Sequence, residues 1–414
     1  MREKRWKIAL TLLLALSLLL PAAAAPARAD YDFRNQTLGQ VIDQFIQENK
    51  IDASRFGMGW YDIESGETFF YNGDKFFVAA SMYKLPICMV YQDWLNLGLM
   101  TTETTVSGWK LGYAMESAIV YSSNEAAHAL RNGISPDLHQ YRDIIARYSD
   151  LDLATLPDSY YNENYASPRF MLNTLRHLYE DRDAYAPLID MMKRASPTMC
   201  FKTAKGGYEI AHKYGAFDHC ANDCGIIYAD RPFLLTAFMG SYAINVLGKL
   251  VDLMADYGAY LDVRDAEAAA AAEEARLHPT ALRTAQTLTV DGVTVRAGFY
   301  NIGGSSYFKL RDVAAILSGT DARFSVDYDE TSRTILTVTG APYAGEGPSP
   351  AGAAGETAAA SLSSQGMTVD GAAVALTAYN IDGSNYFALR ELGGVLGFTV
   401  GYDEASRTIR ITTG

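Results

Sequence analysis

Apolar and polar positions divide the chain into segments with different structural signatures. An unbroken apolar run, Ile8–Leu20, follows a basic N-terminal start. Further along, Phe56–Ile63 and Glu67–Tyr71 are strand-like runs joined by a Ser-Gly turn, and Leu85–Leu97 is an apolar segment typical of a buried helix. The composition then shifts to an Ala/Glu/Arg-rich stretch. We therefore predict a folded α+β domain over residues 30–262.

The first apolar run predicts a secretory signal peptide over residues 1–29. It is shorter than the roughly 18 residues of a bilayer-spanning helix, and Ala27-Arg28-Ala29 is an A-x-A cleavage site. We expect cleavage near Ala29 and a secreted or cell-surface protein; an uncleaved membrane anchor is the alternative. No second apolar stretch of spanning length follows, so we expect no membrane span after cleavage.

An internal repeat fills the C-terminal part of the chain. Thr289-Val290-Asp291-Gly292 recurs as Thr368-Val369-Asp370-Gly371, and Tyr307-Phe308-Lys309-Leu310-Arg311 recurs as Tyr386-Phe387-Ala388-Leu389-Arg390. In each copy, alternating residues around the Asp-Gly turn predict a hairpin, followed by a short helix and a last strand. The repeat predicts two small α+β modules.

We place these modules at residues 287–340 and 366–414. Linkers are predicted at residues 263–286 and 341–365, and the second, rich in Ala, Gly, Pro and Ser, is expected to be flexible. Both copies resemble the stalk module named after the N-terminal domain of copper amine oxidases, which implies a spacer or a contact with the cell wall or surface. Neither copy contains His or Cys, so we expect no copper site.

Charge narrows the classes of partner. The whole chain has a net charge of -13; residues 1–29 carry +4, which leaves about -17 on the remainder. Nucleic acid and anionic lipid are poor partners for such a surface, because binding phosphates requires clustered Lys and Arg. Four cysteines in an exported chain permit a disulfide or free thiols, and a zinc site is less favoured. They are Cys88, Cys200, Cys220 and Cys224.

Three short motifs carry the candidate chemistry. Ser81-Met82-Tyr83-Lys84 opens the predicted buried helix, and its S-x-x-K spacing puts both functional side chains on one helical face. A lysine can take the proton of a serine hydroxyl when burial or neighbouring cations lower its pKa. Ser122-Ser123-Asn124 precedes a helix-forming run, and Lys213-Tyr214-Gly215 lies in a strand-like segment. Any one motif is weak, but the three occur in order and in suitable settings.

Together these residues resemble the superfamily of class A β-lactamases and penicillin-binding proteins. The resemblance spans most of residues 31–245 and includes Ser167-Pro168 as a helix start. It implies an antiparallel sheet with a helical subdomain and no metal or organic cofactor. The roles that it implies are Ser81 as nucleophile, Lys84 as base, Ser122 as proton donor to the leaving nitrogen, and Asn124, Lys213, Tyr214, Gly215 and Ala216 in substrate binding.

Two departures from the family pattern affect the expected activity. Tyr214 stands where the family usually has Thr or Ser, which alters the site for the substrate carboxylate. Residues 151–165 contain no E-x-x-x-N pair of the kind that activates water for deacylation, and Glu163 there is more readily interpreted as a solvated carboxylate. We therefore expect acylation of Ser81, with slow release of the acyl group.

Three functions remain open from the sequence. The first is β-lactam hydrolysis, or hydrolysis of a related amide. The second is a D,D-peptidase or esterase acting on cell-wall peptide. The third, from a different class, is a penicillin-binding or sensing protein without turnover. Uptake of a labelled penicillin by Ser81 separates the first two from an unreactive binding protein.

Overall fold

The structure is a computed structural model that describes residues 31–161, 164–196, 198–284 and 286–414. The predicted signal peptide and Glu163 lie outside the described residues. The chain divides into two compact units, one ending at Val263 and the other spanning Arg264–Gly414. Within the described part of the chain, no helix combines the length and apolar character that a bilayer span requires.

Helices and strands alternate irregularly in the first unit. Its helices are α1 (Leu38–Glu48), α2 (Lys84–Asn96), α3 (Leu111–Ile119), α4 (Asn124–Ile134), α5 (Leu138–Ala146), α6 (Pro168–Glu180), α7 (Ala186–Arg194) and the residues up to Val263 of α8 (Ile244–Leu277). Its strands are β1 (Phe56–Asp62), β2 (Thr68–Tyr71), β3 (Phe77–Val78), β4 (Thr105–Val106), β5 (Trp109–Lys110), β6 (Tyr165–Ala166), β7 (Glu209–Phe217), β8 (Cys220–Tyr228) and β9 (Phe233–Met239).

A five-stranded antiparallel sheet organises this unit, in the order β2-β1-β9-β8-β7. Every residue of β9 is buried, because helices cover both faces of the sheet. One core contains the apolar side of α2 and α6, and the other contains α1 and the first part of α8. Strands β2 and β7 lie at the two edges of this sheet. This architecture has the mixed α+β content that the sequence predicted.

Local sequence explains where two of the helices begin. Thr37 caps α1 in a capping box with Gln40, whose side chain accepts the Thr37 backbone N–H. The hydroxyl of Ser167 accepts the backbone N–H of Phe170 at 3.1 Å, and Pro168 occupies the first position of α6. Ser167-Pro168 thus starts a helix, as the sequence predicted.

The second unit contains short strands and two short helices, each with one apolar face. Its helices are α9 (Leu310–Leu317) and α10 (Leu389–Leu396). Its strands are β10 (Thr280–Arg283), β11 (Thr287–Val290), β12 (Val293–Val295), β13 (Phe299–Ile302), β14 (Ser305–Lys309), β15 (Phe324–Asp329), β16 (Thr334–Thr339), β17 (Thr357–Ala359), β18 (Ser361–Leu362), β19 (Gly366–Val369), β20 (Ala372–Val374), β21 (Ala378–Ile381), β22 (Ser384–Ala388), β23 (Thr399–Asp403) and β24 (Thr408–Thr412).

The two sequence repeats exchange strands. Strand β11 of the first copy pairs in parallel with β24 of the second, and β16 of the first pairs in parallel with β19 of the second. A third sheet, β17-β10-β13-β14-β22-β21-β18, is joined at its centre by β14 and β22, where Phe308 faces Phe387. Apolar residues of both copies together fill two cores, one large and one small.

The structure corrects the predicted linkers and the picture of two separate modules. Helix α8 and β10 occupy most of residues 263–286, and β17 and β18 lie inside residues 341–365. The Ala-rich composition of the first segment is compatible with helix as well as with a linker. In the second segment, β17 and β18 become edge strands of the seven-stranded sheet, and pairing of this kind is not visible in composition.

Candidate active site

Ser81 lies on a tight turn between β3 and α2. The turn is a single 3-10 helix, Ala80–Tyr83, and Lys84 is the first residue of α2. Ala80 has φ +49°, a left-handed conformation that costs of order 1 kcal/mol or more for a residue with a side chain. Such strain persists only where the surrounding structure enforces it. Here it presents the half-buried Ser81 at the start of the helix.

Strands β7 and β8 hold this turn in place. A Cβ on Gly215 would lie 2.5 Å from the Ala79 carbonyl oxygen and 2.8 Å from the Ser81 backbone nitrogen. Only glycine permits this approach of the β7 backbone to Ser81. On β8, the side-chain amide of Asn222 donates to the Val78 carbonyl at 2.7 Å, and its Oδ1 accepts from the backbone N–H of Met239 at 3.0 Å.

Lys84 reaches from α2 to the second motif. Its ammonium is buried and donates to the Ser122 carbonyl at 2.5 Å and to Asn124 Oδ1 at 2.8 Å. The distance from Nζ to Ser122 Oγ is 3.3 Å. Ser122 has φ +57°, which turns its carbonyl and hydroxyl towards Lys84, and Ser123 caps α4 immediately after it.

Lys213 reaches the same hydroxyl from the edge strand. Its Nζ lies 3.1 Å from Ser122 Oγ, donates to the Tyr214 carbonyl at 2.7 Å, and lies 4.2 Å from the centre of the Tyr214 ring. The Ser122 hydroxyl is therefore contacted by two lysines. This arrangement provides a path for protons between Lys84, Ser122 and Lys213.

Burial shifts both lysines towards neutrality. Desolvation lowers the pKa of Lys84 to about 8. The pKa of Lys213 is lowered to about 7, first by burial and then by the charge on Lys84, while Asp223 opposes this fall. Two ammonium groups around one hydroxyl repel each other, so the pair releases a proton near neutral pH. An amine without that proton is the base that a serine nucleophile requires.

Behind Lys213 lies a buried, hydrogen-bonded His–Asp pair that the three sequence motifs do not include. His212 Nδ1 lies 2.7 Å from Asp223 Oδ2, and both side chains are completely buried. The Asp223 carboxylate also accepts the backbone N–H groups of Phe201 and Cys224, each at 2.9 Å. The sequence signal for this pair is weak: His212 directly precedes Lys213, and Asp223 lies in the next strand-like segment.

The remaining predicted residues take the following places. Tyr214 is half-buried, with its ring 5.9 Å from that of His212. Ala216 is half-buried and pairs with Ala221 in the β7–β8 ladder. All four cysteines are free, so the structure contains none of the disulfides that the export signal permitted. Cys220 and Cys224 lie four residues apart on one strand, too far from each other to bond.

Among the described residues, no three His, Cys, Asp or Glu side chains are grouped so that they could hold a metal ion. The candidate site consists of the serine, lysine and amide groups of the three motifs. Those motifs meet around Ser122, at the edge strand β7. A serine on a strained turn, a lysine with a lowered pKa and a second lysine on an edge strand are groups that could support acyl transfer to a serine.

Comparison with known proteins agrees with this class. The model of the family described as "Beta-lactamase enzyme family" matches residues 37–257, and the chain belongs to this family. Among solved structures, it is similar to a β-lactamase from Chitinophaga pinensis (17% identity, TM-score 0.45, covering 53% of this chain and 98% of that one). It is also similar to the class A β-lactamase reconstructed for the last common ancestor of Gram-negative bacteria (18% identity, TM-score 0.45, covering 52% and 98%). No curated protein matches this chain.

Proposed function

We propose that this protein is an exported serine hydrolase that forms an acyl-enzyme on Ser81 with β-lactams or related amides. One observation carries the proposal: Lys84 and Lys213 converge on the hydroxyl of Ser122, beside the turn that presents Ser81. Three groups able to exchange protons lie next to a nucleophile. Amide opening requires this arrangement, because one proton must leave the serine and another must reach the leaving nitrogen.

Acylation forms the Ser81 ester bond, breaks the amide C–N bond and delivers a proton to the leaving nitrogen. The unprotonated amine of Lys84 takes the Ser81 proton as Oγ attacks the carbonyl carbon. Ser122 then gives its own proton to the amide nitrogen as the C–N bond breaks, and is reprotonated from a neighbouring lysine. The backbone N–H groups of Ser81 and Ala216 are proposed to stabilise the oxyanion.

The negative charge of a bound substrate helps to keep Lys213 protonated and Lys84 unprotonated. A carboxylate bound near Lys213 favours the protonated form of that lysine, and the charge on Lys213 in turn disfavours a second charge on Lys84. Binding of an anionic substrate thereby helps to leave Lys84 as the free base. Asn124, whose Oδ1 accepts from Lys84 at 2.8 Å, keeps the amine directed towards the site.

The proposed acyl-enzyme is expected to hydrolyse slowly. Residues 151–165 lack the glutamate and asparagine spacing that activates a water in class A enzymes. Without a second base, the acyl-enzyme persists. This sequence feature, together with Tyr214 in place of Thr or Ser, favours a second candidate function: a D,D-peptidase or esterase acting on cell-wall peptide. A penicillin-binding sensor without turnover would share the acylation step.

Intact-mass measurement after exposure to penicillin tests the nucleophile. We expect the wild type to gain the mass of one penicillin, Ser81→Ala to gain none, and Ser54→Ala, which alters an exposed serine of the same unit, to behave as the wild type. An unmodified wild type, or modification of Ser81→Ala, would contradict the proposal. Turnover of a chromogenic cephalosporin then indicates a β-lactamase, whereas release of D-alanine from wall peptides indicates a peptidase.

Export is proposed from the N-terminal sequence alone. Expression in a secreting bacterial host, followed by N-terminal sequencing, is expected to give a mature chain that starts at Asp30. A chain retained in the cell with its first residues intact would contradict export without affecting the chemistry proposed for Ser81.

A further inference from the structure

The second unit contains two cavities that are equivalent by the sequence repeat. One has a volume of about 280 Å³ and is lined by residues that include Gln286, Ser305, Arg390 and Tyr402. The other has a volume of about 310 Å³ and is lined by residues that include Gln365, Ser384, Arg311 and Tyr328. These residues correspond to each other one by one in the two copies of the repeat. The same site is therefore built twice.

Each cavity requires both copies of the repeat. In the first, Gln286 comes from copy one and Tyr402 from copy two, and the Gln286 side-chain amide donates to the Tyr402 hydroxyl at 3.2 Å. In the second, Gln365 of copy two donates to Tyr328 of copy one at 3.3 Å. Exchange of strands between the copies thus creates the two sites.

The two cavities differ in the hydrogen bonds that their glutamine side chains make. In the second cavity, the amide of Asn385 donates to Oε1 of Gln365. The equivalent residue in the first cavity is Ser306, and Oε1 of Gln286 is buried without a hydrogen-bond partner among the described residues. A buried acceptor of this kind costs about 1–3 kcal/mol unless a donor satisfies it. In the first cavity the glutamine side chain is thus held, among the described residues, only by its contact with Tyr402, and its amide can turn towards a bound hydroxyl.

An arginine stands at the same place in both cavities. Arg311 and Arg390 are exposed, and within the described residues neither guanidinium has an ion-pair or hydrogen-bond partner. In a chain with a net charge of -13, two equivalent free arginines mark places where an anion is favourable. Glu391 also lines the first cavity, and Asp327 and Lys309 also line the second, so a carboxylate near each arginine suits the lining charges better than a phosphate dianion.

We propose that the two cavities bind an acidic polysaccharide, each taking one carboxylate-bearing sugar unit. The arginine binds the carboxylate, the glutamine and serine groups bind hydroxyls, and the tyrosine supplies an apolar ring against the sugar. A site built twice in one unit fits a ligand whose own chemistry repeats, because two linked sites gain affinity for a polymer without new contacts. This function goes beyond the reaction proposed for Ser81 and does not depend on it.

Binding of the full chain to immobilised polygalacturonate tests the proposal, with the fully methyl-esterified polymer as its uncharged match. We expect the wild type to be retained on the acid polymer. Either Arg311→Gln or Arg390→Gln alone should bind at least about tenfold more weakly, because the second linked site is lost. The variant with both substitutions should not bind. The control is the double variant Arg333→Gln with Arg407→Gln. These two residues are also repeat equivalents and exposed, but lie outside the cavities.

Several outcomes would overturn the proposal. They are failure of the wild type to bind the acid polymer, equal binding to the esterified polymer, a loss in the control variant as large as in the cavity variant, and binding to a phosphate polymer in place of the carboxylate polymer. Penicillin labelling of Ser81 is measured on the same samples. Its persistence in the cavity variants shows that the first unit is intact and separates this test from that of the proposed reaction.

Discussion

At the residue scale, the proposed chemistry depends on two lysines that contact one hydroxyl. Lys84 and Lys213 are buried, and both lie within hydrogen-bond reach of Ser122 Oγ. Burying one ammonium is costly, and burying a second beside it is more so. The energetic consequence is the loss of a proton close to neutral pH, which leaves a free amine next to Ser122.

The first prediction concerns pH. Because the base must be unprotonated, and the pKa values of Lys213 and Lys84 are lowered to about 7 and about 8, acylation is expected to accelerate with rising pH. With saturating substrate, which keeps Lys213 protonated, the rate should increase about tenfold per pH unit below the pKa of Lys84 and level off above it. Stopped-flow acylation by a chromogenic cephalosporin measures it. A rate independent of pH across this interval would exclude a lysine base.

The second prediction concerns the buried His212–Asp223 pair. Asp223→Asn removes a buried carboxylate that contacts His212 and accepts the backbone N–H groups of Phe201 and Cys224, and is expected to lower the free energy of unfolding by about 1–3 kcal/mol. It also removes the charge that opposes the lowered pKa of Lys213, so an anionic substrate should bind more weakly at neutral pH and recover as pH falls. Denaturant unfolding and the pH dependence of KM measure the two effects.

An exposed His–Asp pair on the same hairpin supplies the control. His219 Nε2 lies 3.0 Å from Asp218 Oδ2, and both side chains are largely exposed. Asp218→Asn is expected to leave the unfolding midpoint and the pH dependence of KM unchanged, because water screens the pair. If both variants changed KM alike, the buried pair would have no particular role in positioning Lys213.

At the element scale, close packing decides which glycines are required. Gly393 and Gly394 are neighbours in α10, but a Cβ on Gly393 would lie 2.5 Å from the Phe398 carbonyl oxygen, whereas Gly394 faces open space. The third prediction is that Gly394→Ala stabilises the second unit by up to about 1 kcal/mol through helix propensity. Gly393→Ala is expected to destabilise it, because the backbone must move.

Thermal unfolding of the two variants measures this difference, and each is the matched control of the other. Equal effects of the two substitutions would show that the end of α10 adapts, and would contradict the packing seen around Phe398. The same reasoning applies to Gly215 in the first unit, where a side chain would displace the backbone of Ser81.

At the scale of the whole molecule, the exchange of strands makes the two repeats mutually dependent. The fourth prediction is that a chain ending at Gly340 loses the fold of its remaining repeat, because β11 and β16 then lack their partners β24 and β19. Limited proteolysis should cut residues 287–340 rapidly in the shortened chain and slowly in the full chain.

A nicked chain provides the control. Cleavage at a protease site introduced into the exposed residues 344–348 keeps both repeats and should leave the fragments associated and protected. A protected single repeat in the shortened chain would show that one copy folds alone, and the cavities would then need another explanation.

Much of the first unit could be predicted from the sequence. The order of the three motifs, the strand pair before Ser81 and the helix start at Ser167-Pro168 follow from local spacing and capping, which neighbouring residues determine. The sequence also contained the repeat and the Asp-Gly turn of each copy. The turns and helix starts depend on residues only a few positions apart, and the repeat is visible when two segments are compared. The sequence alone is therefore enough to predict them.

Only the tertiary structure decided how distant segments meet. Lys84, Ser122 and Lys213 come from three elements far apart in sequence, and neither the His212–Asp223 pair nor the close approach of Gly215 to Ser81 follows from spacing. The repeats show the physical reason most clearly. Near-identical strands can pair within a copy or between copies with the same hydrogen bonds, so the sequence specified the strands, and packing of the shared core selected their partners.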